Sequence, residues 1–389
     1  MAGCSSLTSP AALAAPHPPP PCHFRPRTRA WRNRASPVPT TCHHQFQAPT
    51  NRYYQSSATT SRSSAESGQS TTTTGNSSKP SSRKKVTLKL MYLEINTWVW
   101  EVQQHGGGEA RPLRVLVDPI AAGNLDFGMP WLYDGAKKHP SVRAMGVDDL
   151  LATTGQPDVL LLTSGLDDHC HARTLARLSA MEPDLPVVAA PSAERVLAAL
   201  PAPSFRRVTY LAPGQSAAVD DRFHLLAAPG PVQRGFSRNP PNYGPLQKRP
   251  ENAYVLFAAA GDGNDDGDGT TGGGEGLIYY EPHCVYDRRF LGRKNRVRAK
   301  VVITPVVKQL LPGNLAVVSG QEDAVKLARL LDARHVVPMN NGDLDAGGLL
   351  AGVISTRGTA ESFKAMMAES LPEVRVHDAT PGVPLCLDL

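Results

Sequence analysis

Residues Asp158–His171 read Asp-Val-Leu-Leu-Leu-Thr-Ser-Gly-Leu-Asp-Asp-His-Cys-His. The apolar run at the start of this segment predicts a buried strand, and the polar residues follow where that strand would end. The next segment, Ala172–Met181, has the apolar spacing of a helix. Carboxylates and imidazoles between a strand and a helix can bind a metal, or pair as a base with its orienting acid. They can equally form a plain polar helix N-terminus, capped by Asp167 or Asp168.

Short apolar segments of this kind alternate with helical patterns through residues 86–389. Strands are predicted at Val86–Met91, Glu94–Val102, Leu113–Asp118, Val159–Thr163, Val187–Ala190, Arg207–Leu211, Phe223–Ala228, Ala253–Ala259, Gly276–Tyr280, Val301–Thr304, His335–Pro338 and Val374–His377. Helices are predicted at Val147–Thr153, Ala172–Met181, Ala193–Leu200, Gln321–Leu331 and Ala360–Ser370. This order of elements predicts an α/β fold, with two mixed sheets and the helices outside them.

The head of the chain, residues 1–85, has a composition of its own. It contains 11 of the 41 Lys and Arg residues but only one of the 35 acidic residues, Glu66. Ser, Thr and Pro are so frequent that the head cannot bury enough apolar surface to offset chain entropy, and we expect it to be disordered. An acid-poor, Ser-rich head that contains Arg is typical of a transit peptide. Its Met-Ala start and its Ser and Pro content favour a chloroplast over a mitochondrion; the alternative is a disordered tail with no targeting role. Residues 86–389 are then expected to form a single domain.

The distribution of charge argues against nucleic acid as a partner. The formal net charge of +6 divides into +10 for the head and −4 for residues 86–389. A domain that follows a phosphate backbone needs net positive charge, and the second region lacks it. No apolar run approaches the roughly 18 residues of a membrane-spanning helix, so we expect no membrane partner either. A small-molecule substrate or ligand is the partner class that fits best.

The order of four landmarks along the chain points to a known family. These landmarks are Arg114–Pro119, Gly276–His283, Val301–Pro305 and His335–Gly342, arranged around the Asp158–His171 segment. The arrangement resembles the metallo-β-lactamase fold superfamily, in particular its lactonase-like branch and a plastid and cyanobacterial group within that branch. The resemblance covers roughly residues 86–355. It implies a four-layer αββα sandwich with the functional site along one edge, at the ends of the sheets.

The metal-binding motif of that family is only partly present. The family pattern His-x-His-x-Asp-His falls on Ser164, Leu166, Asp168 and His169. Two of its four ligands are therefore replaced by residues that do not bind zinc well, while Asp168 and His169 match. Asp118, on the preceding landmark, is expected to orient the loop at the site edge through hydrogen bonds.

The remaining ligand positions also depart from the family. A His expected after the strand at Phe223–Ala228 is missing, and the last family His falls on Asn340. The family's bridging Asp falls on His283, which is a changed but competent ligand. The resemblance therefore does not extend to a two-zinc site, which needs five or six ligands. It leaves Asp168, His169 and His283, which together with water satisfy one catalytic zinc by number.

Two hypotheses about function follow from this degenerate metal site. In the first, the protein is a hydrolase that binds one divalent metal, zinc, through Asp168, His169 and His283. A water activated by the metal would attack an ester, lactone or phosphoester, with Asp167 or His171 as the proton shuttle or as an orienting group. In the second, the protein is a metal-free pseudoenzyme of the same fold. The three residues would then hydrogen-bond neighbouring loops, and the same edge would bind a small ligand or a protein.

Two further segments bear on the domain and its ligand. The Gly- and Asp-rich run Gly261–Gly276 is interpreted as a solvated hairpin insertion, because Gly273 stands where a calcium loop requires an acid. A basic cluster follows His283 and comprises Arg288, Arg289, Arg293, Lys294, Arg296, Arg298 and Lys300. This cluster is either a solvated loop or a surface that attracts an anionic substrate to the site edge.

Overall fold

Strands dominate the computed structural model, which describes residues 85–106, 110–232, 250–259, 276–294 and 297–389. The predictions made for the head and for the Gly261–Gly276 run therefore lie outside the described residues, apart from Lys85 and Gly276. No helix among the described residues is long and apolar enough to cross a membrane.

The strands are β1 Val86–Tyr92, β2 Trp98–Gln104, β3 Leu113–Val117, β4 Asp134–Ala136, β5 Val159–Leu162, β6 Val187–Ala189, β7 Val208–Tyr210, β8 Ser216–Ala218, β9 Phe223–Val232, β10 Pro250–Ala258, β11 Gly276–Tyr280, β12 Ala299–Pro305, β13 Lys308–Leu311, β14 Leu315–Val318, β15 His335–Met339, β16 Asp345–Gly347, β17 Ser355–Arg357, β18 Arg375–Val376 and β19 Pro384–Asp388. The α-helices are α1 Pro140–Arg143, α2 Val147–Thr154, α3 Ala172–Met181, α4 Glu194–Ala198, α5 Gln321–Leu330 and α6 Ala360–Ser370. A 3₁₀ turn at Pro191–Ala193 precedes α4, and a π-helical segment covers Arg289–Lys294.

Two seven-stranded sheets form the centre of the domain. The first has the strand order β19-β1-β2-β3-β5-β6-β7, and the second has the order β18-β15-β12-β11-β10-β9-β8. Two small sheets, β14-β13-β17 and β16-β4, stand beside them. Each large sheet combines antiparallel and parallel pairs. In the first sheet β3, β5, β6 and β7 run parallel to one another, and in the second sheet β11, β12, β15 and β18 do. The other neighbouring strands pair antiparallel.

Alternation along the strands explains why both sheets are covered on both faces. In β5, Leu161 packs between the two sheets, whereas Leu160 and Leu162 pack on the opposite face. In β12, Val301 and Ile303 likewise face the other sheet. Successive side chains of a strand point to opposite faces, so an unbroken apolar strand must be buried on both sides. The two sheets therefore share one core and each needs a helical layer outside it.

The helices supply those outer layers. Helices α2, α3 and α4 cover the first sheet, where Leu150, Leu175 and Leu178 join its outer face. Helices α5 and α6 cover the second sheet through residues such as Leu327 and Phe363. The result is the four-layer αββα sandwich that the resemblance implied, and the predicted fold class is confirmed.

One edge of the sandwich collects the carboxyl ends of the parallel strands. Thr163 follows β5 directly, and its carbonyl oxygen accepts a hydrogen bond from the backbone N–H of Asn252 in β10 at 2.9 Å. This bond joins the first sheet to the second at the point where β5 ends. Polar side chains that follow β3, β5 and β11 therefore meet along this edge, as ligand sites do at the strand ends of other open α/β sheets.

Candidate metal centre

Three side chains from the two sheets converge at this edge. Asp168 and His169 follow β5, and His283 follows β11, 114 residues further along the chain from His169. One potential ligand atom from each of the three lies within 4.8 Å of the others. The two imidazole rings lie with their centroids 5.0 Å apart. We call these residues the Asp–His–His cluster.

A buried carboxylate fixes the ring of His169. Nδ1 of His169 lies 2.9 Å from Oδ2 of Asp118, and Nε2 lies 3.1 Å from Oδ2 of Asp168. Asp118 in turn accepts hydrogen bonds from the backbone N–H and the hydroxyl of Thr163, at 2.9 and 2.5 Å. Asp118, Thr163 and His169 are all fully buried. Asp118 thus anchors His169 to the end of β5, and the other ring nitrogen faces the cluster.

The charges in this arrangement determine the protonation of its members. Burial alone would lower the pKa of His169, but the negative charges of Asp168 and Asp118 outweigh it and raise that pKa well above 6.5. Burial alone would raise the pKa of Asp168, but the charge and the hydrogen bond of His169, together with the charge of His283, outweigh it and lower that pKa. For Asp118 burial dominates and raises the pKa.

His283 also lies beside two carboxylates. Its Nδ1 is 3.3 Å from Oε2 of Glu251 and 3.4 Å from Oε1 of Glu281. Burial lowers the pKa of His283. The charge of Glu251 and the contact with Glu281 together raise this pKa by a larger amount, so the net shift is upward. Burial also raises the pKa of the Glu251 carboxyl.

The chemistry of this donor set fits a divalent cation. Among the described residues, three buried atoms at the site have no hydrogen-bond partner: Oδ1 of Asp168, Oε2 of Glu251 and Nδ1 of His283. Buried polar atoms are normally paired, so unpaired ones need an explanation such as an ion. Four buried or nearly buried carboxyl groups surround only two imidazoles, and such an excess of negative charge is costly unless a cation offsets it. Imidazole nitrogen and carboxylate oxygen are also the ligand types of catalytic zinc.

The two predicted proton-transfer residues lie beside the cluster but are not part of it. Asp167 accepts a hydrogen bond from the backbone N–H of Phe127 at 3.1 Å, and burial raises its pKa. His171 has its Nδ1 2.7 Å from Oγ1 of Thr174 and its Nε2 3.1 Å from Arg173. Burial and the charge of Arg173 lower the pKa of His171 to about 4, so its ring is neutral at pH 7. Their roles in proton transfer stay predictions.

Ser164 and Leu166, the two positions that do not match the metal motif, hydrogen-bond to each other in the loop after β5. Ser164 is buried, and its hydroxyl oxygen accepts a hydrogen bond from the backbone N–H of Leu166 at 3.2 Å. Between them, Gly165 lies so close to the backbone of Ser192 that a Cβ atom would stand 2.2 Å from its carbonyl oxygen. The glycine therefore permits a backbone contact that sets the path of the loop toward Asp168.

Two asparagines that the sequence did not point to connect the cluster to the second sheet. Asn341 donates from Nδ2 to Oδ1 of Asn96 at 3.0 Å and to the carbonyl oxygen of Pro282 at 2.7 Å. Asn96 donates from Nδ2 to the carbonyl oxygen of Asp168 at 3.0 Å. Asn340, where the family's last His falls, is exposed. The side chain in this network is therefore that of Asn341, one residue after the position where the family's last His falls.

Asn96 is placed by a turn where a strand was predicted. The prediction of one strand over Glu94–Val102 is wrong, because β2 begins only at Trp98. Glu94 and Ile95 both have positive φ, 62° and 56°. Residues other than glycine rarely adopt this conformation, so the sequence of a glutamate followed by an isoleucine does not predict it. The tight turn that results brings Asn96 over His169.

In the described part of the basic cluster that follows His283, Arg298 lies away from the Asp–His–His cluster. Arg298 precedes β12, whose first residue Ala299 pairs with Gly276 at the start of β11. His283 follows the opposite end of β11, so Arg298 lies at the far end of the sheet. There it forms an ion pair with Asp332 at 3.3 Å. Arg288 and Arg289 are exposed.

Several solved structures resemble this chain in architecture. They include Igni18, a metallo hydrolase from Ignicoccus hospitalis (16% identity, 77% of this chain, 98% of that chain, TM-score 0.46). They also include the metallo-beta-lactamase fold protein YhfI from Bacillus subtilis (11% identity, 78% of this chain, 100% of that chain, TM-score 0.46). A third is isothiocyanate hydrolase from Delia radicum gut bacteria (16% identity, 78% of this chain, 100% of that chain, TM-score 0.48). No curated protein shows a significant sequence match.

Membership of a family rests on a sequence match that covers most of the sandwich. The family model described as the beta-lactamase superfamily domain matches residues 89–340, from β1 to the end of β15. This range includes the whole Asp–His–His cluster. It is also more than half of the chain. The protein therefore belongs to the beta-lactamase superfamily, a hydrolase-like family with the metallo-β-lactamase fold.

Proposed function

We propose that this protein is a hydrolase that uses a single divalent cation, zinc, held by Asp168, His169 and His283. The observation that carries the proposal is the convergence of these three side chains, from two different sheets, within 4.8 Å. The buried Oδ1 of Asp168 supports it, because this atom is a potential ligand without a hydrogen-bond partner among the described residues.

When bound, a divalent cation supplies Lewis-acid chemistry that acidifies water and polarises the substrate carbonyl. The chain's own residues hold the ligands in place. Asp118 fixes the ring of His169 through Nδ1, and Asn96 holds the backbone of Asp168. Asp167 is the better placed proton carrier, since it adjoins Asp168 and its raised pKa favours exchange of a proton.

The substrate is proposed to be an ester or a lactone. A cleft of about 200 Å³ is lined by Asn340, whose neighbour Asn341 belongs to the network at the metal centre. The cleft is also lined by Glu94, Asp343 and Asp378, and no described lining residue is basic. Lys138 and Lys364 pair with two of these carboxylates. No residue of the Asp–His–His cluster lines this cleft, and we propose that the substrate enters through it. Phosphoester recognition normally relies on Arg or Lys, so a lining of this kind supports a neutral substrate over the anionic one that the basic cluster suggested.

The proposal can be tested with the full chain after removal of bound metal. Hydrolysis of aryl esters, lactones and phosphomonoesters should be measured before and after one equivalent of zinc is added. We expect zinc-dependent hydrolysis of an ester or lactone, which falls to the background rate in His283→Ala. His377→Ala is the matched control, because His377 contacts His335 at 2.9 Å and is not part of the cluster.

Two results would overturn the proposal. One is hydrolysis that does not change when zinc is removed or when His283 is replaced. The other is the absence of both zinc binding and hydrolysis, which would fit the metal-free ligand-binding alternative. Hydrolysis of phosphomonoesters alone would retain the zinc site and reject the ester or lactone assignment.

A further inference from the structure

We propose that Glu251 is a positioning residue for His283: its carboxylate holds the Nδ1 side of the ring and leaves Nε2 for the cation. The inference rests on the proposed function, since it assigns a role to Glu251 in the same metal centre. His283 stands where the related family carries an aspartate, so this chain needs a way of orienting an imidazole there. No feature of the sequence singled out Glu251.

The contact between the two residues is close and buried. Oε2 of Glu251 lies 3.3 Å from Nδ1 of His283, and Glu251 is only 3% exposed. Within the described residues, neither atom has a hydrogen-bond partner of good geometry. A small rotation of either side chain would convert this contact into a hydrogen bond, which would satisfy both buried atoms.

A second carboxylate is equally near but is already engaged. Oε1 of Glu281 lies 3.4 Å from Nδ1 of His283. The two oxygens of Glu281 accept hydrogen bonds from the backbone N–H groups of His283 and Val285, at 3.0 and 2.6 Å. Glu281 therefore builds the turn after β11, whereas Oε2 of Glu251 is left for the ring.

The pairing of β10 with β9 is irregular at Glu251. The register shifts between Pro250 and Asn252, so two residues of β9, Gly230 and Pro231, lie opposite the single residue Glu251 and form a β-bulge in β9. Bulges are frequent next to active sites and change the local twist of the paired strands. The backbone N–H of Asn252 donates to the carbonyl oxygen of Thr163 at the end of β5, which holds this part of β10 beside the Asp–His–His cluster.

The arrangement repeats what Asp118 does for His169. In both pairs a buried carboxylate lies beside Nδ1, at 2.9 Å for Asp118 and at 3.3 Å for Glu251. A carboxylate in this position fixes the tautomer and orientation of a ligand histidine and raises its basicity. Loss of such a partner weakens metal binding by about 10- to 100-fold in other metalloproteins.

The first test compares zinc affinity in the full-length wild type, Glu251→Gln and Glu281→Gln, measured by calorimetry with a competing chelator. We expect Glu251→Gln to weaken zinc binding by about 10- to 100-fold, and the melting temperature of the zinc-free protein to stay close to that of the wild type. Glu281→Gln should lower that melting temperature and weaken zinc binding less. Glu251→Asp, which keeps the charge, should bind zinc better than Glu251→Gln. Wild-type affinity in Glu251→Gln would overturn the inference.

The second test does not depend on zinc and separates this inference from the proposed function. Long-range ¹H–¹⁵N spectra of histidine-labelled, zinc-free protein report which ring nitrogen carries the hydrogen at a pH where the ring is neutral. We expect it on Nδ1 of His283 in the wild type, and a shift toward Nε2 in Glu251→Gln. A hydrogen on Nε2 in the wild type would overturn the role of Glu251. A wild type that binds no zinc but has the Nδ1 tautomer would overturn the metal claim and support the pairing.

Discussion

Oδ2 of Asp118 lies 2.9 Å from Nδ1 of His169, and both side chains are fully buried. The contact explains how one of the imidazoles is held in the Asp–His–His cluster. Asp118 also has a φ of 41°, in the left-handed region that residues other than glycine rarely adopt. Asparagine tolerates that region as well as aspartate does, so a substitution can remove the charge without changing the backbone.

Asp118→Asn should therefore separate the orienting role of the carboxylate from its structural role. We expect zinc affinity to fall by about 10- to 100-fold, because the ring of His169 loses its charged partner. Asp118→Ala should in addition destabilise the zinc-free protein by about 1–3 kcal/mol, because the buried backbone N–H of Thr163 is left unpaired. Calorimetry and urea unfolding measure the two effects. Wild-type zinc affinity in Asp118→Asn would show that the contact does not orient the ligand.

Neighbouring asparagines should differ sharply in their contribution to stability. Asn341 donates to Asn96 and to the carbonyl oxygen of Pro282, and it accepts a hydrogen bond from Gln309 at 3.1 Å. Asn341→Ala leaves these partners unsatisfied and should lower the free energy of unfolding by about 1–3 kcal/mol. Asn340→Ala, at the exposed neighbour, should stay within about 0.5 kcal/mol of wild type. Equal effects in urea unfolding would contradict the network.

The loop after β5 should not accept a side chain at Gly165. A Cβ atom there would stand 2.2 Å from the carbonyl oxygen of Ser192, so Gly165→Ala must displace backbone. We expect a loss of about 1–3 kcal/mol in the free energy of unfolding, together with weaker zinc binding because Asp168 shifts. Gly352→Ala is the control, since nothing lies within 4 Å of its added Cβ. A Gly165→Ala protein as stable as the control would contradict the close contact.

The effect of zinc on stability should depend on pH in a definite direction. The pKa values of His169 and His283 are raised in the folded, zinc-free protein. Their protonation therefore stabilises the zinc-free fold fully below a pH of about 6.5, and this contribution is lost as the pH rises through the raised values. Zinc binds only the deprotonated rings, so its binding strengthens over the same range.

The melting temperatures of zinc-loaded and zinc-free protein should thus move apart as the pH is raised from about 6 to about 9. Thermal unfolding followed by circular dichroism at constant ionic strength measures this difference. His377→Ala should show the same trend as the wild type, because His377 is outside the cluster. A difference that is constant or shrinks with rising pH would mean that the two rings are not ligands.

Much of the fold could be predicted because its elements carry strong periodic patterns. The predicted bounds of Ala172–Met181, Ala360–Ser370 and Gly276–Tyr280 match α3, α6 and β11 residue for residue. The bounds of β5 differ from the prediction by one residue at the end. These segments are apolar enough, and end in clear enough polar residues, for local sequence to decide them.

Of the residues at the candidate site, only those that directly follow a predicted strand could be predicted from the sequence. The segment after β5 displays Asp168 and His169 directly, and the order of landmarks pointed to His283. Asn96 reaches the site through a turn with positive φ angles, and Glu251 lies opposite a β-bulge in β9. Both are departures from regular structure that tertiary packing imposes, so local sequence does not reveal them.

The most direct test of the central claim is a zinc titration of the metal-free, full-length protein by calorimetry, with His169→Ala, His283→Ala and His377→Ala measured alongside. The account predicts one zinc per chain in the wild type and in His377→Ala. It also predicts loss of that binding in both cluster variants while their fold, followed by circular dichroism, is retained. A wild type that takes up no zinc, or cluster variants that bind zinc as well as the wild type, would contradict the assignment of the Asp–His–His cluster as a metal centre.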